Sequence, residues 1–122
     1  MIIVIPKETQ AGEKRVAATP ETVKLFKQLG FQVRVEKDAG TEANYRNEDY
    51  EAAGADLISS ILYDDANLIL KIQAPSTDEI SQYPANSTLI SHIWPAQNSE
   101  RLQRLAAGNI NTLAVDCVPR IS

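Results

Sequence analysis

Apolar and polar residues alternate along this chain in short blocks that switch between two periods. The apolar run IIVI at residues 2–5, closed by Pro6, predicts a buried strand. A polar stretch over residues 6–18 follows, carrying Lys7, Glu8, Glu13, Lys14 and Arg15. In TPETVKLFKQLG the period lengthens: Val23, Phe26 and Leu29 recur three apart and predict a helix facing a core with those side chains. Thr19 is its expected N-cap, Pro20 its first residue and Gly30 its stop. FQVRVE, residues 31–36, returns to strict alternation and predicts a strand.

The second half repeats the scheme. A loop with a glycine turn covers residues 37–47, and a short helix capped by Asn47 is expected over 47–55. Residues 56–66 show no clear period. NLILKI (67–72) predicts a strand, and STDEISQY (76–83) a helix opened by a capping box of Ser76 with Glu79. STLISHI (87–93) predicts another strand. From Asn98 a helix is expected with Leu102, Leu105 and Ala106 inward and Gly108 as its stop, before a fifth strand over 111–118. Strand and helix alternating with short loops point to an α/β fold, a mostly parallel sheet with helices on both faces.

In such sheets ligands collect at the carboxyl ends of the strands. Lys7, Trp94 and Arg120 each follow a predicted strand, Lys71 lies at the exit of LIL, and Arg15 lies in the first strand-to-helix loop. Two lysines, two arginines and an indole are therefore expected on one edge, forming a basic rim. Each has a plainer reading beside the functional one. A lysine at a strand end is ordinarily solvated, Arg15 can pair with Glu13, and Trp94 before Pro95 can be a packing residue. His92, inside a strand run, reads as a half-buried, hydrogen-bonded histidine, and Cys117 in an apolar strand as a small core residue. Asp64 and Asp65 read as a solvated turn.

Composition narrows the classes. At 122 residues the chain is expected to form one domain. Twelve basic against sixteen acidic residues give a net charge of −4, which argues against nucleic acid or an anionic membrane as a bulk partner. A single cysteine fits a reducing compartment, and no apolar run is long enough for a signal sequence or a membrane span. There is no G-x-G-x-x-G, Walker A or C-x-x-C motif, and one histidine with one cysteine makes no ordinary zinc site. Spacing alone stops at a soluble α/β domain with a basic rim.

Four stretches carry a resemblance. IPKETQAGEKRVAATPETVKLFKQLGFQVRVEKDAG and LILKIQAP resemble the opening blocks of the alanine dehydrogenase and nicotinamide nucleotide transhydrogenase family. TLISHIWPAQN with DCVPRIS is similar to its transhydrogenase branch, the alpha subunit of the proton-translocating enzyme. The resemblance covers the whole chain and implies a Rossmann-like or flavodoxin-like N-terminal domain. It implies a truncated chain, with the glycine-rich NAD-binding domain lying outside it, and a fragment that binds little nucleotide alone. It further implies NAD(H) in the full subunit, NADP(H) on a partner subunit, a beta subunit and membrane domain as partners, a homodimer, and the cytoplasmic face of a bacterial inner membrane.

The alanine dehydrogenase branch has a catalytic histidine in the loop after its fifth strand. By the resemblance Trp94, not His92, stands at that place. Arg15 and Lys71 match the residues that hold the carboxylate and carbonyl of pyruvate in that branch, and Arg120 matches an arginine facing the nicotinamide. Amino-acid dehydrogenation needs a proton acceptor at the reacting carbon, whereas direct hydride transfer between two nicotinamides needs positioning. The resemblance therefore favours transhydrogenation over an alanine dehydrogenase-like oxidoreductase, with a non-enzymatic α/β binding module as the remaining alternative.

Overall fold

The computed structural model describes residues 1–59, 62–91 and 99–114. Within them lie six strands: β1 (Ile2–Ile5), β2 (Gln32–Glu36), β3 (Asp56–Ile58), β4 (Leu68–Leu70), β5 (Thr88–Ser91) and β6 (Asn111–Ala114). They form one sheet in the order β3-β2-β1-β4-β5-β6, and every pairing is parallel. Four helices accompany them: α1 (Pro20–Gln28), α2 (Asn47–Ala52), α3 (Thr77–Ile80) and α4 (Ser99–Ala107). This is the doubly wound Rossmann strand order, in which the winding direction reverses between β1 and β4.

The apolar alternation explains the two faces. Ile3 and Ile5 of β1 and Val33 and Val35 of β2 share a buried cluster with Val23 of α1 and Tyr50 of α2. Val4, one residue out of phase, joins Ile69, Leu89, Ile80 of α3 and Leu105 of α4 on the other face. Each of these side chains contributes roughly 1.5–3 kcal/mol when fully buried. Opposite parity along β1 thus fills a core on both sides of one strand, as a strand central to a parallel sheet requires.

Local signals place α1 closely. The Thr19 hydroxyl accepts from the Thr22 N–H at 3.2 Å, and Pro20 opens the helix. Gly30 takes φ +94°, so its N–H reaches the Lys27 carbonyl at 3.0 Å while the Phe31 N–H reaches that of Phe26 at 3.1 Å. Gly40 is needed for a different reason: a Cβ there would lie 2.6 Å from Tyr50 Cε2. That close approach lets the buried Tyr50 hydroxyl donate to the Ala18 carbonyl at 2.8 Å, tying α2 to the segment before α1.

Several expectations are corrected. The unpatterned region holds β3, whose three residues are too few to show a period and which, among the described residues, pairs with β2 alone. Leu29, expected inward, is 73% exposed, because it is the C-cap residue and the chain has already turned. Ala106 is exposed too, the inward face of α4 being carried by Leu105 with Leu102. Asn47 does not cap α2. It is the first helical residue, and its side chain accepts from the Asp38 N–H and donates to the Asp38 carboxylate, each at 2.9 Å. The α2 N-terminus is met instead by Asp49, whose carboxylate accepts from the Arg46 N–H at 2.9 Å. After α4 the left-handed residue is Asn109, at φ 58°, rather than Gly108. Among the described residues no helix is long and apolar enough to cross a membrane.

Candidate functional site at the strand switch point

The winding reversal between β1 and β4 opens a crevice at their carboxyl ends, and the residues just after those two strands fill it. Pro6 ends β1, and two residues later Glu8 turns inward, 8% exposed. Lys71 follows β4 and keeps its backbone in the ladder, its N–H donating to the Ile90 carbonyl at 2.9 Å. Its ammonium lies 3.3 Å from Glu8 Oε1 and 3.3 Å from Glu79 Oε2. The Lys71 and Glu8 side chains are each 2% exposed. A lone ammonium at that depth would be prohibitively desolvated, and the two carboxylates are the physical reason it stays there.

Each carboxylate also organises backbone. Glu8 Oε2 accepts from the Ile72 N–H at 2.9 Å and Glu8 Oε1 from the Gln73 N–H at 3.1 Å, so the loop after β1 grips the turn after β4. Glu79 Oε1 accepts from the Ser76 N–H at 3.1 Å, and the Ser76 hydroxyl accepts from the Glu79 N–H at 3.2 Å. Glu79 thus uses Oε1 in the capping box of α3 and Oε2 on the buried lysine.

Arg15 stands further out, its side chain 66% exposed. Its Nε and Nη2 donate to the two oxygens of Glu13 at 3.0 and 2.8 Å, and its own backbone N–H adds a third bond at 2.8 Å. Glu13, 6% exposed at the side chain, also accepts from Gln73 Nε2 at 2.7 Å. The Arg15 side-chain bonds draw the Glu13 carboxyl down from 4.5 to about 2, against the opposing effect of burial and with further help from Gln73.

A cavity of about 370 Å³ opens over this cluster, with Glu8, Lys71, Gln73, Ser76, Glu79 and Arg101 in its wall. Lys7 lies elsewhere. It borders a smaller space of about 210 Å³ at the ends of β2 and β3 with Glu36, Ser59 and Tyr63, and Glu79 belongs to both walls. The Lys7 backbone N–H donates to Glu36 Oε1 at 2.9 Å.

The structure thus links Arg15 to Lys71 through Glu13, Gln73 and Glu8, and leaves Lys7 on the other side of Glu79. Trp94 and Arg120, with His92 and Cys117, lie outside the described residues. Two readings change. Lys71 is not solvated, and the edge is not simply basic, because Glu8, Glu13 and Glu79 face its cations. Sequence reasoning passed over Glu8 and Gln73 and read Glu79 only as a cap. The usable signal was a carboxylate two residues past a strand-ending proline, with a lysine at the end of a second strand. Among the described residues no group of three His, Cys, Asp or Glu side chains is arranged to hold a metal ion.

The comparisons with known proteins agree with this fold. The family described as alanine dehydrogenase/PNT, N-terminal domain, matches residues 4–122. The chain is 43% identical over its full 122 residues to an NAD(P) transhydrogenase subunit alpha of Haemophilus influenzae, and spans 24% of that protein's length. It superposes on the crystal structure of a transhydrogenase from Sinorhizobium meliloti with a TM-score of 0.95 and 37% identity, covering all of this chain and 37% of that one. An L-alanine dehydrogenase structure follows at a TM-score of 0.88 and 27% identity, over 93% of this chain and 32% of that one.

Proposed function

The chain belongs to the alanine dehydrogenase/PNT N-terminal domain family, and from that premise we propose that it serves as the N-terminal domain of an NAD(P) transhydrogenase alpha subunit, an oxidoreductase that passes hydride between NADH and NADP⁺ and couples this to proton translocation. The observation that carries the reading is the 43% identity, over the whole chain, to a transhydrogenase alpha subunit. The higher identity and TM-score to a transhydrogenase than to an alanine dehydrogenase point the same way. Trp94 adds to it: the resemblance puts an indole where the alanine dehydrogenase branch has its proton-transferring histidine.

The described residues do not fit a dinucleotide held in the Rossmann manner. That mode needs a glycine-rich first turn whose amides and helix N-terminus receive the pyrophosphate. Here the first turn carries Glu8 and Glu13, Glu8 closes the crevice with Lys71, and the carboxylate ending β2, Glu36, is engaged by the Lys7 backbone. A pyrophosphate would meet carboxylates there instead of free amides. On the reading the resemblance implies, NAD(H) belongs to the remainder of the subunit and NADP(H) to a partner subunit.

This domain's share is architectural and positional. By the resemblance Arg15, Lys71 and Trp94 belong to an inherited substrate-type pocket; its two cations are held by carboxylates, and the resemblance puts Trp94 at the place of the acid–base histidine. Arg120 matches, by the resemblance, an arginine at the start of a loop facing the nicotinamide. The partners follow from the same reading: the rest of the alpha subunit, a beta subunit with its membrane domain, and a second alpha subunit, at the cytoplasmic face of a bacterial inner membrane. The deciding assay uses the assembled enzyme. Hydride exchange between NADH and an NADP⁺ analogue without pyruvate-dependent NADH oxidation supports the reading, and the reverse pattern assigns the chain to amino-acid dehydrogenation.

A further inference from the structure

Of the two cations that the resemblance assigns to one pocket, Arg15 is bound by Glu13, and Lys71 by Glu8. One residue joins the two halves. Gln73 donates from its side-chain amide to Glu13 Oε1 at 2.7 Å and from its backbone N–H to Glu8 Oε1 at 3.1 Å. Both acceptors are sparsely exposed at the side chain, 6% for Glu13 and 2% for Glu8, so both bonds are shielded from competing water. The Arg15 guanidinium also bonds the same Oε1 atom that receives the Gln73 amide. Glu8 likewise uses one atom, Oε1, for both the Lys71 ammonium and the Gln73 N–H. The path from guanidinium to ammonium thus runs through two shared oxygen atoms and one glutamine.

We propose that Gln73 is a positioning residue which sets the separation of Arg15 and Lys71 and makes the two cations respond as a unit. The proposal rests on the reading that both belong to one ligand pocket. Its chemistry is specific. A glutamine side chain spans from the turn after β4 to Glu13 and presents a donor to a carboxylate already drawn down by an arginine. A carboxylate at position 73 would repel Glu13, and a methyl-terminated side chain of the same length would leave Glu13 held by Arg15 alone. The backbone N–H of residue 73 survives any such substitution. Changing the side chain therefore cuts the link to Glu13 and spares the grip of Glu8 on the turn.

The test compares Arg15→Met in two backgrounds of the chain, native and Gln73→Met. The readouts are the Lys71 Nζ resonance and the Glu8 carboxyl carbon resonance, so rapid exchange of the ammonium with water cannot hide the answer. Circular dichroism confirms that each variant is folded. Arg15 also acts on Glu8 by charge through space, so a residual shift is expected without Gln73. With Gln73 present, Arg15→Met displaces both resonances. In the Gln73→Met background the displacement falls to about half or less, the non-additivity expected of residues in one network. Equal displacements in both backgrounds, or none in either, overturn the proposal. A second arm measures hydride exchange in the assembled enzyme. If Arg15→Met and Lys71→Met lower the rate, adding Gln73→Met to the pair lowers it no further; a further independent loss counts against the proposal. If neither substitution alters the rate, the pocket reading fails, while the resonance comparison still decides whether Gln73 couples the two cations.

Discussion

Replacing Glu8 by alanine removes one partner of a buried ion pair and leaves the other in place. Lys71 would keep only Glu79, whose side chain is 18% exposed, while its own stays 2% exposed. The N–H groups of Ile72 and Gln73 lose their acceptor at the same time. Breaking a buried pair by removing one charge costs about 3–5 kcal/mol, and each buried N–H left without an acceptor about 1–3 kcal/mol. Glu79 offsets part of the first cost and water reaching the shortened side chain part of the second, so a net loss of about 3–5 kcal/mol is expected. A domain of this length has a total stability of roughly 6–18 kcal/mol, so the variant would fold but with a large fraction of its stability gone. With a urea m-value of about 2 kcal/mol/M the midpoint falls by roughly 1.5–2.5 M. The control is the double variant Glu8→Ala with Lys71→Met. Removing the stranded cation should restore part of the loss, leaving the double variant less damaged than the sum of the singles. A Glu8→Ala midpoint within about 0.5 M of the native chain, or a double variant at least as damaged as that sum, would show that the pair is not what holds this crevice together.

Three further outcomes follow from particular contacts. Gly40→Ala places a Cβ 2.6 Å from Tyr50 Cε2 and 2.9 Å from Tyr45 Cβ; a loss of about 1–3 kcal/mol from overpacking is expected, and an unchanged melting temperature would contradict it. The Glu13 carboxyl is drawn from 4.5 to about 2 in the folded chain. A lowered folded value stabilises above the unfolded one and the benefit is lost as the pH falls, so Glu13→Gln should flatten the stability profile between pH 4.5 and about 2, and parallel native and variant profiles there would refute the assignment. Trp94→His in the assembled enzyme should not create alanine dehydrogenase activity, since one imidazole supplies a base but not the geometry for the substrate; ammonium- and pyruvate-dependent NADH oxidation above the native background would show that the histidine alone separates the two chemistries.

The elements bounded by their own chemistry were legible in the sequence. Thr19, Pro20 and Gly30 delimit α1 by hydrogen bonds within a few residues of themselves, and Ser76 with Glu79 opens α3 in the same way. Their partners are local, so the pattern suffices. Asn47 misled because its side chain has a competing partner nine residues back, Asp38, and no local rule ranks the two. Leu29 misled because it obeys the helical spacing at the point where the helix has already ended.

The site divides along the same line. Alternation of strand and helix determined by itself that the chain builds a parallel sheet, and hence that Lys7 and Lys71 come to its carboxyl edge. The strand order, the place where the winding reverses and the company each cation keeps were decided only in three dimensions. Glu8 and Lys71 are 63 residues apart, and although each stands at a strand end, no local pattern pairs one with the other. They meet because β1 and β4 are neighbours in the sheet, paired through Ile3 with Leu68 and Val4 with Ile69. That adjacency comes from burying apolar residues of β1 on both of its faces at once, a condition on the whole core rather than on any segment. Once it is met, a lysine that a strand end would ordinarily leave in water is enclosed, and only carboxylates arriving from other loops make its burial tolerable.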